Sequence, residues 1–112
     1  MANPITITVY PVTDVEKAKT FYTAYLGVEP YADSPYYIGY KVGDREVGLD
    51  PHGKEIISYV ETEDIQKSLE ELQAAGATVH AEPKNVGGGL MIAQVKDADG
   101  NVLGLRQASA QA

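Results

Sequence analysis

The chain has 112 residues, 44% of them hydrophobic, which sets it at the size of one ordinary domain able to bury a core. It contains no cysteine, so disulfides, thiolate nucleophiles and Cys-based zinc or iron–sulfur centres are excluded. A net charge of −7, with nine scattered basic residues, argues against the basic surface that a nucleic-acid backbone demands, and no nucleic-acid partner is expected.

No run approaches the ~18 apolar residues that cross a bilayer. Met1-Ala2-Asn3-Pro4 lacks a basic and then apolar leader pattern. The expectation is a cytoplasmic protein with no membrane partner. Eight tyrosines stand beside one phenylalanine and no tryptophan, and Tyr31, Tyr36, Tyr37 and Tyr40 crowd together. A tyrosine has an apolar body and a polar tip, which suits a half-wet pocket as well as the edge of a small core.

In chain order, residues 5 to 10 alternate β-branched and polar side chains and predict a strand, which Pro11 ends. Thr13 with Glu16 forms a capping-box pattern, with Asp14 as the competing N-cap. Val15, Ala18, Phe21, Tyr22, Tyr25 and Leu26 recur at helical spacing and predict an amphipathic helix closed by Gly27. Residues 36 to 42 and 45 to 50 have strand character and flank the hairpin signal Gly43-Asp44. Pro51-His52-Gly53 is a loop that separates two halves.

The second half repeats this order. Residues 55 to 61 predict a strand, and Asp64 caps a helix with Ile65, Leu69, Leu72 and Ala75 on its apolar face, closed by Gly76. Residues 78 to 82 predict a strand, and residues 83 to 89 a Gly-rich loop. Residues 90 to 95 and 101 to 107 form a closing hairpin around Ala98-Asp99-Gly100, and residues 109 to 112 read as a loose tail. Asp14-Val15-Glu16-Lys17-Ala18 recurs as Asp64-Ile65-Gln66-Lys67-Ser68, and Val47-Gly48-Leu49 as Leu103-Gly104-Leu105. Matches in the same order point to an internal duplication. The expected fold is α+β, with two tandem β-α-β-β-β modules over about 5–50 and 55–107 in a single domain. A ferredoxin-like domain is the competing fold, and it would place only two strands after each helix.

Pro11-Val12-Thr13-Asp14-Val15-Glu16-Lys17-Ala18, Phe21-Tyr22 and Leu26-Gly27-Val28 together resemble the opening of glyoxalase, bleomycin-resistance and extradiol-dioxygenase proteins, the vicinal oxygen chelate superfamily. Ala74-Ala75-Gly76-Ala77-Thr78-Val79 resembles that superfamily's helix-to-strand passage, and the stretch from Asp97 to Leu105 its final hairpin. The resemblance covers about residues 5 to 107. It implies curved sheets forming a cup with helices outside, and a homodimer.

In metal-dependent members, four inward positions on the first and last strands of each half supply His, Gln or Glu to a divalent ion. Carried onto this chain by resemblance, those positions are Ile7, Gly48, Ile57 and Gly104, none with a donor side chain. A one-residue slip recruits no ordinary ligand. A two-residue slip brings Glu46 or Asp50, and Glu55, but no imidazole, and His52 and His80 match no family position. No metal and no cofactor are expected.

Other signals point to structure before chemistry. Asp97-Ala98-Asp99-Gly100-Asn101 lacks the spacing of an EF-hand and reads as a turn. Gly87-Gly88-Gly89 enters a strand, whereas phosphate cradles enter helices. Arg45 and Arg106 flank the closing strands as surface charges or as partners for a ligand anion. Glu46, Asp50 and Glu55 are carboxylates beside loops that would serve as bases only if desolvated, and Ser58 has no activating histidine nearby in sequence.

The functional expectation is a glyoxalase-like protein that binds a small organic molecule in an apolar, tyrosine-containing cup, as in the bleomycin-resistance branch. The residues expected to line it are Ile7, Ile57, Tyr36, Tyr37, Tyr40 and Tyr59, with Gly48 and Gly104 leaving room for the ligand to sit deep. The alternative is an enzyme of lyase, isomerase or dioxygenase type, metal-free or with a divergent metal site.

Overall fold

The computed structural model describes residues 3–108, so the tail expected at residues 109 to 112 lies outside the described residues. The described residues divide into two compact units, Thr6–Ser58, and residues 59–108 together with residues 3–5.

The first module runs β1 (Ile5–Pro11), α1 (Val15–Leu26), β2 (Ala32–Ser34), β3 (Tyr37–Val42) and β4 (Arg45–Asp50). The second runs β5 (Ile57–Glu61), α2 (Ile65–Ala74), β6 (Thr78–Asn85), β7 (Met91–Lys96) and β8 (Val102–Gln107). Each is β-α-β-β-β, in the α+β class, with three strands after each helix where a ferredoxin-like domain has two. The internal pairing is also the same. In each module the first strand lies parallel to the last, which pairs antiparallel with the third, and the third with the second.

Both helices start on an aspartate. Asp14 accepts from the Lys17 backbone N–H and Asp64 from that of Lys67, each at 3.1 Å. Asp14 therefore wins the N-cap over Thr13. α1 closes on Gly27, whose φ of 74° suits the left-handed turn there, and its N–H donates to the Thr23 carbonyl.

In the first module, Val15, Ala18, Tyr22 and Leu26 of α1 pack on Ile38, Tyr40 and Leu49. The expected apolar face was too wide, because Phe21 and Tyr25 are 61% and 73% exposed. A helix lying on a sheet buries only a stripe. These two rings fall beyond it, where they stack on each other with centroids 5.9 Å apart. In the second module, Ile65 and Leu69 pack on Ala93, Val95 and Leu105.

Two strands depart from expectation. β2 is only three residues long and is fixed by pairing with β3 through Asp33↔Ile38. β6 continues through Pro83 to Asn85, where a loop was expected. Its pairing with β7 shifts register between Ala81 and Lys84, and such an irregularity accommodates a proline. Among the described residues, no helix is long and apolar enough to cross a membrane.

The β7–β8 turn is built by Asp97, as its sequence suggested. Its Oδ1 accepts from the N–H groups of Asp99 and Asn101, both at 2.9 Å, and its Oδ2 from the Asn101 side-chain amide at 3.0 Å. The Asn101 amide, followed by these backbone donors, holds the carboxyl below its ordinary range. A carboxylate depressed by folding contributes stability that is present above its unfolded pKa and lost as pH falls through its folded pKa. The melting temperature of wild type should therefore exceed that of Asp97→Asn at neutral pH. The gap should close as pH falls from neutrality through the ordinary aspartate range and below it, in paired thermal melts. A gap that stays constant with pH would refute this role.

Candidate functional site

Strand alternation gives each module one face under its helix and one turned away from it. On the first module's open face, Gly39 of β3 sits opposite Gly48 of β4. A Cβ built on Gly39 would stand 3.0 Å from ring atoms of Tyr31, and one on Gly48 would collide with the phenolic oxygen of Tyr37. Two phenol groups thus occupy the space above this glycine notch. The Tyr31 hydroxyl donates to Glu46 Oε1 at 2.6 Å, and Lys41 Nζ stands 4.9 Å from the Tyr31 ring centre. Lys41 and Glu46 are themselves register partners across β3 and β4. Ile7, buried on β1, pairs with Glu46 on the same face.

The second module uses the same device. Tyr59 of β5 is the register partner of Gly104 of β8, and a Cβ on Gly104 would fall into the Tyr59 ring. Gln94 of β7, the next partner in that row, donates from Nε2 to the Tyr59 hydroxyl at 2.9 Å. One row along, Glu61, Arg106 and Ile92 are consecutive partners, and the Arg106 guanidinium is ion-paired with the Glu61 carboxylate.

The structure therefore brings together Tyr37 with Gly48, and Tyr59 with Gly104, as two matched ring-over-glycine pairs. The glycines do not leave open room, as the sequence suggested, because a phenol ring occupies the space above each. Ile57 opens β5, half-buried. Tyr36 is exposed in the turn between β2 and β3. Tyr40 is a correction. It is wholly buried under α1, with its hydroxyl 2.9 Å from Thr23 Oγ1 and donating to the Lys19 carbonyl at 3.2 Å, so it belongs to the core and lines no hollow. Arg45, His52 and His80 are solvent-exposed.

The sequence singled out Tyr31 and Arg106, but their pairing with Glu46 and Glu61 escaped it, as did that of Gln94 with Tyr59. Cross-strand register is the signal that exposes them, and it cannot be fixed before the strands are paired.

The model of the Glyoxalase/Bleomycin resistance protein/Dioxygenase superfamily matches residues 5–105. The chain belongs to this superfamily. No curated protein matches its sequence. Among solved structures, a hypothetical protein from Bacillus halodurans is 16% identical with a TM-score of 0.80, covering 100% of this chain and 99% of its own. A glyoxalase/bleomycin resistance protein/dioxygenase superfamily member from Vibrio splendidus is 16% identical with a TM-score of 0.69, covering 90% of this chain and 95% of its own. Methylmalonyl-CoA epimerase from Streptomyces coelicolor, in complex with 2-nitronate-propionyl-CoA, is 14% identical with a TM-score of 0.75, covering 98% of this chain and 100% of its own. At such identities the likeness is one of fold.

The residues of this superfamily member do not fit the metal that its metal-dependent relatives hold. At the four positions that the resemblance carries over, Ile7, Gly48, Ile57 and Gly104 have no side-chain donor atom, and the space above the two glycines is filled by Tyr37 and Tyr59. Among the described residues, no group of three or more His, Asp and Glu is placed to hold a metal ion.

Proposed function

We propose that this chain is a ligand-binding member of the superfamily that takes a small organic molecule against its tyrosine-covered sheet faces without the help of a metal. One observation carries the reading: each glycine at a family ligand position is covered by a phenol ring, Tyr37 over Gly48 and Tyr59 over Gly104. Phenol groups packed against a sheet combine apolar bodies with polar tips, the usual make-up of a small-molecule site, although Tyr59 is itself only 7% exposed. The epimerase from Streptomyces coelicolor, with its bound 2-nitronate-propionyl-CoA, is an example of this fold accommodating an organic ligand. A homodimer, the superfamily's habit, is part of the proposal, and sedimentation analysis tests it.

A second reading, a metal-free enzyme, is favoured by the Tyr31–Glu46 hydrogen bond, which sets a carboxylate beside a phenol on the open face. Such a pair could exchange a proton with a bound molecule.

The test is a screen of flat aromatic and amphipathic compounds in the presence of a chelator, read by melting temperature and by tyrosine emission, which no tryptophan obscures. A compound at about 100 times its Kd should raise the melting temperature by several degrees. If only divalent cations stabilise the protein, the proposal fails.

A further inference from the structure

We infer that the exposed aromatic flank of α1, centred on Phe21, is the surface on which a second copy of this chain docks. This deepens the proposed homodimer and rests on it, while the ligand reading stands apart from it.

Helical spacing builds the flank. Lys17, Phe21 and Tyr25 follow one another at intervals of four along α1 and so share one side of it, with the exposed Ala24 beside them. Phe21 and Tyr25 stand mostly in water, stacked on each other. Tyr22 meets both edge-on, at 5.1 and 6.4 Å between centroids, and Tyr10 of β1 lies 5.5 Å from Tyr22. Tyr10 and Tyr22 are half-buried against the core, so they brace the two outer rings from below. A braced ring loses little freedom when another surface covers it. The two outer rings expose on the order of 250 Å² per copy, and apolar patches of about this size upward are often contact sites. The side of a helix is convex and encloses no small molecule, so its occupant is another protein surface.

Charge selects a second copy. With sixteen acidic residues and a net charge of −7, two copies repel each other over most of their surface. No acidic residue falls between Lys17 and Val28, so on this flank two copies can meet without setting carboxylate against carboxylate. The spacing is also self-complementary. A two-fold axis at Phe21 sets the two helices antiparallel, with Phe21 against the partner's Phe21 and Lys17 over the partner's Tyr25, a cation–π contact made twice. The small side chain of Ala24 lets the helices approach to the usual distance of about 8–10 Å. The four outer rings bury on the order of 500 Å² together, the centre of an interface that needs roughly 1,200 Å² or more, so the dimer is a reversible one.

The chain has no cysteine, so a single introduced one reports a symmetric contact. Under mild copper-phenanthroline oxidation, Phe21→Cys should cross-link to a covalent dimer far faster than Val86→Cys, an exposed control elsewhere on the surface. Lys17→Cys and Tyr25→Cys should each cross-link poorly alone and readily when mixed. In sedimentation of the full chain, wild type should dimerise with a Kd on the order of 10 µM, and Phe21→Glu should weaken it at least about a hundredfold. Because Phe21 is exposed, that variant should keep the wild-type melting curve in dilute solution. A wild-type dimer that survives Phe21→Glu would overturn this face and leave the homodimer standing, and so would cross-linking of Tyr25→Cys alone at the rate of Phe21→Cys. A wild type that stays monomeric to about 1 mM would overturn both, give the flank to a different partner, and leave the ligand reading untouched.

Discussion

Replacing Gly104 with alanine is expected to destabilise the second module by about 3 kcal/mol, the cost typical of forcing extra volume into a packed site. Gly104 is not among the glycines with positive φ, so alanine adopts its backbone without strain and the whole penalty is steric. The new methyl group would fall among Cδ1, Cε1 and Cγ of Tyr59. That ring cannot swing aside freely, because the Gln94 amide holds its hydroxyl at 2.9 Å. The cause can be isolated with a double-mutant cycle. In a Tyr59→Ala background the ring is gone, and Gly104→Ala should become neutral or slightly stabilising, since alanine restricts the unfolded chain more than glycine does. Urea denaturation of the four proteins measures this. Additive losses would mean that the ring and the glycine are independent.

Tyr40→Ala is expected to be the most damaging change in the first module, at about 4 kcal/mol, in the range of large aromatic deletions from a core. Its side chain is 0% exposed and packs beneath α1 in the group formed with Ile38 and Leu49. Its hydroxyl ties the sheet to the helix through Thr23 and Lys19. Tyr40→Phe keeps the ring and removes only that tie, so it should cost about 1–2 kcal/mol, including the penalty of leaving Thr23 without this partner. Because Tyr40 lies under the helix and away from the candidate site, Tyr40→Phe should leave ligand affinity unchanged. A lost affinity with intact stability would place Tyr40 back at the site.

Much of the architecture was legible from residues alone. Asp14 and Asp64 signal helix starts because their short carboxylates reach the exposed N–H groups of the first turn. β4 runs over the residues expected from its alternation and from the Gly43-Asp44 turn before it. The repeated apolar-Gly-Leu segment marks β4 and β8, whose glycines face away from the helices in register with their neighbours. β2 was not legible. Flanked by Pro30 and Pro35, its three residues carry no period of their own and become a strand only by pairing with β3.

The site was legible in part. Tyr37 and Tyr40 stand three apart, and in a strand of period two they must point to opposite faces, so they could never have lined one surface together. Hydrophobicity alone gives no clue as to which of them is core, because both are tyrosine. The occupants of the space above Gly48 and Gly104 were hidden for a similar reason. A glycine in a strand announces a close approach without naming the group that approaches. The pairing of Glu61 with Arg106 depends on the parallel register of β5 and β8, a contact between distant parts of the chain.

The account rests on the family's metal positions having been given over to ring-covered glycines and isoleucines. Its most direct test is calorimetric titration of chelator-stripped protein with Mn²⁺, Ni²⁺ and Zn²⁺ in turn, each followed by a thermal melt. The expected result is no saturable binding near one ion per chain and no rise in melting temperature. A stoichiometric, stabilising ion, lost again on chelation, would contradict it.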